Sequence, residues 1–257
     1  MLLAVDIGNT HTVVGLFRGE VLKDHFRIWS RPNITGDEIG FFLGSWLQRM
    51  KIVNEEINAI AVASVVPSLT SIFDTTAKKH FGCIPLIVSS KINLPIKIDI
   101  PQPDQVGADR ICNAVAAFSK FGGPVTVVDF GTATNFDIVD GDGAYIGGVL
   151  LPGPETSMAE LAKRAARLFE VRIEPPDSVV GKSTAGALKS GLFYGTVGQI
   201  DFLIDKIIEE TGFANMKVVA TGGFAKVFGK HCRHTDLVEP TLTLEGLRLI
   251  AEMNLKL

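Results

Sequence analysis

Ala4-Val5-Asp6-Ile7-Gly8-Asn9-Thr10-His11-Thr12-Val13-Val14-Gly15 breaks an apolar run with one acid, one glycine and a knot of small polar side chains, and then the apolar run resumes. The pattern predicts a buried strand over 2–7, a tight turn at Gly8-Asn9-Thr10-His11 and a second strand over Thr12–Phe17. Arg18-Gly19-Glu20 turns the chain into a third strand over Val21–Ile28, so the opening reads as an antiparallel meander. The same pattern returns at Val125-Thr126-Val127-Val128-Asp129-Phe130-Gly131-Thr132-Ala133-Thr134-Asn135-Phe136-Asp137-Ile138-Val139. Asp129 and Gly131 stand 123 positions after Asp6 and Gly8, close to half of the 257 residues. Two similar α/β halves with a boundary near 115–124 follow, and the expected domains are 1–117 and 118–257.

Between the two copies, 36–50 has helical spacing, with Ile39, Phe42, Leu43 and Trp46 on one face. Ala59–Val66 is β-rich and stops at Pro67; a helix over 68–81 and a strand at 84–88 come next. Pro95, Pro101 and Pro103 keep 95–103 extended, and Asp104 is the expected N-cap of a helix over 105–121. The second half continues with a glycine-rich stretch at 146–153, a helix over 155–169 and a long helix over 184–211. A strand at 216–221 ends in Thr221-Gly222-Gly223, and a helix over 243–254 follows.

Composition narrows the function classes. With 46% hydrophobic and 21% charged residues the chain supports a large core, and disorder is not expected. A net charge of −3 gives no general attraction to nucleic acid or to anionic lipid. No apolar run reaches the length that spans a bilayer, and Met1-Leu2-Leu3-Ala4-Val5, cut short by Asp6, does not read as a signal peptide. Cys83, Cys112 and Cys232 are odd in number and far apart, which suits reduced thiols in a cytoplasmic protein.

A turn between two strands aims several backbone N–H groups at one point. Glycine lets a phosphate approach, Asn and Thr add donors, and an acid at the strand end can hold hydrated Mg²⁺. One such turn alone is better explained by ordinary turn chemistry; a second copy at the equivalent place reverses that preference and makes a nucleotide cleft the better reading. Gly107-Ala108-Asp109-Arg110 opens a helix, where the dipole favours an ionised Asp109. A kinase needs such a carboxylate to orient a hydroxyl and accept its proton; a solvated Asp–Arg pair is the plainer alternative. Val180-Gly181-Lys182-Ser183-Thr184 resembles the tail of a P-loop, but Pro176 stands where that motif needs glycine, so Ser183 or Thr184 is read as a helix cap or a ligand contact. Ala187, Gly191, Gly195 and Gly198 form a small-residue stripe suited to close helix packing. His231-Cys232-Arg233-His234 reads as a surface turn rather than a metal site.

"DIGNT" at 6–10, "GADR" at 107–110, "DFGTAT" at 129–134, "GKST" at 181–184 and "ATGGFA" at 220–225 occur in order, and as a set the chain resembles the type III pantothenate kinases of the actin/Hsp70/sugar-kinase superfamily. The resemblance implies two ribonuclease-H-like domains with a nucleotide cleft between them, and ATP-dependent phosphorylation of pantothenate, the first step of coenzyme A synthesis. It implies that Asp6, Ile7, Gly8, Asn9, Thr10, His11, Thr12 and Val13 bind ATP, with Asp6 near Mg²⁺, and that Thr132 contacts ATP. Gly107, Ala108, Asp109, Arg110 and Thr184 would contact pantothenate, with Asp109 as proton acceptor, and Asp129 would hold K⁺ or NH₄⁺. A homodimer is implied as well. Ile100 stands where the family often has a tyrosine lining the pantothenate pocket, which makes that wall less polar here. An ATP-binding regulatory protein on the same fold, without turnover, is the competing expectation.

Overall fold

A computed structural model describes residues 1–255. The chain forms two compact units, one running from Met1 to Ala116 and completed by the segment from Leu242, the other spanning Ala117–Thr241.

The first unit begins with the expected meander: β1 (Leu2–Ile7), β2 (His11–Arg18) and β3 (Val21–Trp29). Then come α1 (Gly36–Arg49), β4 (Ala59–Ser64), α2 (Pro67–Phe81), the short strands β5 (Leu86–Ile87) and β6 (Lys97–Ile98), and α3 (Ala108–Phe121), inside which the division falls. The sheet order is β3-β2-β1-β4-β5, with β1 antiparallel to β2 and parallel to β4. β1 is apolar at every position but Asp6 because the centre of the sheet is covered on both faces. Leu3, Val5 and Ile7 pack with Val14, Leu16 and residues of α1 and α2 such as Leu43, Leu47, Leu69 and Phe73. α1 starts on a reciprocal cap in which Thr35 Oγ1 accepts from the Glu38 N–H at 3.2 Å while the Thr35 N–H donates to the Glu38 carboxylate at 2.8 Å. Its buried face is Ile39, Leu43, Trp46 and Leu47; Phe42, expected there, is 37% exposed, because the face follows the i, i+4, i+7, i+8 rows.

The second unit repeats this plan with β7 (Val125–Phe130), β8 (Ala133–Val139), β9 (Ala144–Pro152), α4 (Pro154–Arg164), α5 (Thr184–Thr211), β10 (Lys217–Thr221), α6 (Ala225–Phe228) and β11 (Leu237–Val238). Its strands run β9-β8-β7-β10-β11, the order and directions of the first unit. Burial along β7 matches β1 residue for residue, and along β8 it matches the first seven positions of β2. Even the irregularity recurs: the second strand slips against the third between Leu16 and Phe17 in one unit and between Ile138 and Val139 in the other. The core here joins Val128, Phe130, Phe136 and Ile138 to Phe193, Ile200 and Ile204 of α5 and to Phe228, whose ring stacks on Phe130 at 5.6 Å.

Several expectations are corrected. The last helix, α7 (Leu242–Asn254), belongs to the first unit rather than to 118–257. Its apolar face covers β1 and β4, and Gly246 lies so close to the Cys112 carbonyl that a Cβ would come within 2.0 Å of the oxygen. Thr243 Oγ1 also donates to Asn113 Oδ1 at 2.8 Å. The helix expected over 105–121 starts at Ala108, because 103–105 form a separate 3₁₀ turn closed by the Val106 N–H on the Pro103 carbonyl, and Val106 is extended. Asp104 therefore caps nothing and pairs at the surface with Lys91 at 3.3 Å. The helix expected over 155–169 ends at Arg164, where Ala165 turns extended. The glycine-rich stretch 146–153 is mostly strand β9; glycines at 147 and 148 had blurred its alternation.

Candidate active site

In the first unit Asp6 is the last residue but one of β1, flanked by Val13 of β2 and Ala63 of β4, and it is half-buried. The turn after it is held by the Gly8 N–H on the His11 carbonyl at 3.0 Å and by the Ser30 N–H on the Thr10 carbonyl at 2.9 Å. Thr12 is buried with its hydroxyl 2.9 Å from that of Ser30, and the His11 ring lies 4.6 Å from that of Trp29. Ile7 faces the core, so only its backbone is available to a ligand. Asn9 is exposed at the tip, and Gly8, Thr10, His11 and Val13 are half-buried. The result is a short loop with small side chains, held by two backbone hydrogen bonds.

Asp109 is the second residue of α3. Its Oδ1 accepts from the Arg110 N–H at 2.9 Å, and the carboxylate folds back so far that a Cβ on Gly107 would come within 2.5 Å of Oδ1. Burial raises its pKa above the ordinary aspartate range; the Arg110 N–H and the Arg110 charge offset part of that rise. One turn on, the Cys112 thiol is buried and pushed well above its usual range, first by burial and then by the negative charges of Asp6 and Asp109. Both acids therefore act on the same buried thiol, which brings two candidates chosen from distant parts of the sequence into one neighbourhood.

Gly107→Ala tests how tightly this carboxylate is positioned. The new methyl group displaces Oδ1, and if Asp109 is the proton acceptor that the resemblance implies, a displacement of this size lowers kcat by about 10²-fold with little change in KM for ATP. Steady-state kinetics in both substrates checks the result.

In the second unit Asp129 occupies the position of Asp6, beside Asn135 of β8 and Thr221 of β10. The turn is one residue shorter here and is closed by the Gly131 N–H on the Ala133 carbonyl at 3.0 Å. Thr132 is exposed at its tip, while its carbonyl accepts from the Gly153 N–H at 2.9 Å and the Thr156 hydroxyl at 2.7 Å. Gly153, which the sequence had not singled out by itself, must be glycine: a Cβ would meet the Gly131 and Thr132 carbonyl oxygens at 2.2 and 2.6 Å. The only sequence signal for it is Gly-Pro immediately before α4. Gly222 approaches Asp129 as closely, with a would-be Cβ 2.3 Å from Oδ1, while the Thr221 hydroxyl donates to the Glu239 carbonyl at 2.8 Å.

Thr184 is the exposed first residue of α5, and Ser183 caps the helix by accepting from the Gly186 N–H at 3.1 Å. Thr184 also lines a pocket of about 410 Å³ together with Ser157, Met158, Leu161, Leu188 and Leu192. Gly181 packs against the Gly186–Ala187 backbone, so the lysine-serine-threonine run is a helix entry. Arg233 and His234 contact carboxylates of α5, with His234 Nε2 2.7 Å from Asp205 and Arg233 reaching both Asp201 and Asp205. Among the described residues no three His, Cys, Asp or Glu side chains come together as a metal cluster, and no helix is long and apolar enough to cross a membrane.

A family model described as type III pantothenate kinase matches residues 2–206. A type III pantothenate kinase of Agathobacter rectalis is 41% identical over 97% of this chain and 96% of its own length. One from Acidothermus cellulolyticus is 44% identical over 99% of each chain. The solved activator of the 2-hydroxyisocaproyl-CoA dehydratase from Clostridium difficile, with ADPNP bound, shares the fold at a TM-score of 0.57 and 13% identity, covering 98% of this chain and 94% of that one. Two repeated units with an acid-glycine turn in each, Asp109 at the head of α3, and relatives alike from end to end lead to one assignment: the chain belongs to the type III pantothenate kinase family.

Proposed function

We propose that the protein transfers the γ-phosphoryl group of ATP to the primary hydroxyl of pantothenate, giving 4′-phosphopantothenate and ADP at the entry to coenzyme A synthesis. The observation that carries this reading is the state of Asp109. Burial makes its carboxylate a stronger base than a surface aspartate, and it folds back over Gly107 at a helix N-terminus, accepting from the Arg110 N–H. In the reaction the pantothenate hydroxyl oxygen bonds to the γ-phosphorus, the bond from that phosphorus to the β–γ bridging oxygen breaks, and the hydroxyl proton passes to Asp109. Arg110, half-buried beside it, steadies the negative charge of the bound substrates, and Gly107, Ala108 and Thr184 shape the pantothenate contact.

The residues of 6–13 receive ATP phosphates through the first turn, and Thr132 meets ATP from the second. Asp6 is a hard oxygen donor at a strand end, which fits Mg²⁺ held through water. Mg²⁺ there would neutralise phosphate charge. Asp129, cradled by Gly222 where a side chain would collide with it, fits a monovalent cation, K⁺ or NH₄⁺. We read the protein as a cytoplasmic homodimer. Gly191, Gly195 and Gly198 of α5 open onto free space, and Tyr194 and Phe202 on the same helix are exposed, as an interface face requires.

The test incubates the protein with ATP, Mg²⁺, K⁺ and pantothenate and looks for phosphopantothenate by mass spectrometry. Product is expected with K⁺ or NH₄⁺ and to fall by about tenfold or more when Na⁺ replaces them. No product although ATP binds would replace the kinase with the regulatory reading, and equal rates in Na⁺ would remove the cation role of Asp129.

A further inference from the structure

Asn135 stands directly opposite Asp129 in the β7–β8 register, so the two side chains leave the sheet on the same face as close neighbours. Its Oδ1 is buried and, among the described residues, accepts no hydrogen bond. A buried carbonyl oxygen without a donor is unfavourable, and natural folds keep few of them. The repeat makes the placement more telling. In the first unit the residue opposite Asp6 is Val13, so the shared scaffold does not call for an amide at this place. The amide is present only in the unit whose acid Gly222 approaches closely.

We propose that the amide oxygen of Asn135 and the carboxylate of Asp129 are ligands of the same monovalent cation. This rests on the reading of Asp129 as the acid that holds the cation. Oxygen ligands suit K⁺, and backbone or amide carbonyls replace its hydration shell well. One carboxylate with one neutral oxygen also carries a single negative charge, which balances a monovalent ion; a second carboxylate would favour Ca²⁺ or Mg²⁺. Asn135 thus supplies coordination without charge, and a cation ligand role accounts for its buried oxygen.

The test is thermal melting of the full chain as KCl replaces NaCl at constant ionic strength, alongside the K⁺ dependence of kcat. The wild-type midpoint is expected to rise with K⁺, because an ion that binds only the folded state stabilises it. Asn135→Ala should need about tenfold more KCl for the same half-response, with kcat recovered at high K⁺. Asn135→Asp keeps an oxygen in place and should retain the K⁺ response while gaining one to Ca²⁺. This variant also serves if the alanine protein does not fold. An unchanged KCl half-response in Asn135→Ala, with the response lost in Asp129→Asn, would overturn the role of Asn135 and leave that of Asp129 standing. No K⁺ response in the wild-type protein would overturn both.

Discussion

Asparagine in place of Asp109 is expected to lower kcat by between about 10² and 10⁴-fold while ATP still binds. The amide keeps the shape of the carboxylate and can still accept from the Arg110 N–H, which the aspartate does at 2.9 Å, so the head of α3 is not disturbed. What is lost is the ability to take the proton of the acceptor hydroxyl. Kinetics and equilibrium ATP binding, measured on the same preparation, separate the two effects. Loss of ATP binding together with turnover would move Asp109 from proton acceptor to nucleotide ligand.

The raised pKa of Asp109 adds two consequences of definite sign. As a base it acts only when ionised, so kcat/KM should fall as pH drops through a value above the ordinary aspartate range. For stability, a folded-state pKa above the unfolded one means that folding takes up a proton between the two values. Stability therefore declines as pH rises through that window and stays lower above it. The asparagine variant has no such decline, and at neutral pH its Tm should exceed that of the wild-type protein. A lower Tm would show that the carboxylate's hydrogen bond and the helix dipole outweigh its burial.

The two halves were legible because their turns demand particular residue types. An acid at a strand end, then glycine, then small polar side chains is a local requirement, and Asp6-Ile7-Gly8 and Asp129-Phe130-Gly131 state it twice. The matching sheet orders and the shared slip at Leu16/Phe17 and Ile138/Val139 show that the likeness reaches beyond the motif into the pleat. Features set by partners distant in sequence were not legible. Nothing local says that α7 returns to the first sheet, since Gly246 is required by the Cys112 carbonyl more than 130 residues earlier. Gly153 is required by the carbonyls of 131 and 132, and Asn135 stands out only once its oxygen is seen to be buried and unpaired. Helix ends moved for a similar reason. Asp104 had the right chemistry for a cap, yet Pro103 gave its turn a 3₁₀ closure, and the helix waited for Gly107.

Gly222→Ala is expected to be strongly damaging, because it combines a positive φ with a close approach to Asp129 and to the Phe130 backbone. Gly222 has φ 90°, a conformation that carries a cost of roughly 1–3 kcal/mol for a residue with a Cβ. The added carbon would lie 2.3 Å from Asp129 Oδ1 and 2.7 Å from both the N and the O of Phe130. The carboxylate can swing away, but the Phe130 backbone is fixed in β7 and its carbonyl already accepts from the Phe224 N–H at 3.2 Å. Relieving the contact means pushing the Thr221-Gly222-Gly223 turn off the strand, and overpacking of this kind typically adds about 1–3 kcal/mol. Together these lower Tm by about 5–15 °C for a chain of this size. Well below that temperature the displaced Asp129 should still leave kcat weakly responsive to K⁺. Gly141→Ala is the matched control: Gly141 has nothing within 4 Å of a built Cβ, so Tm and K⁺ response should stay near wild type. A Gly222→Ala protein with wild-type melting and an intact K⁺ response would mean that the turn yields freely, and that the close approach to Asp129 is not what holds the carboxylate in place.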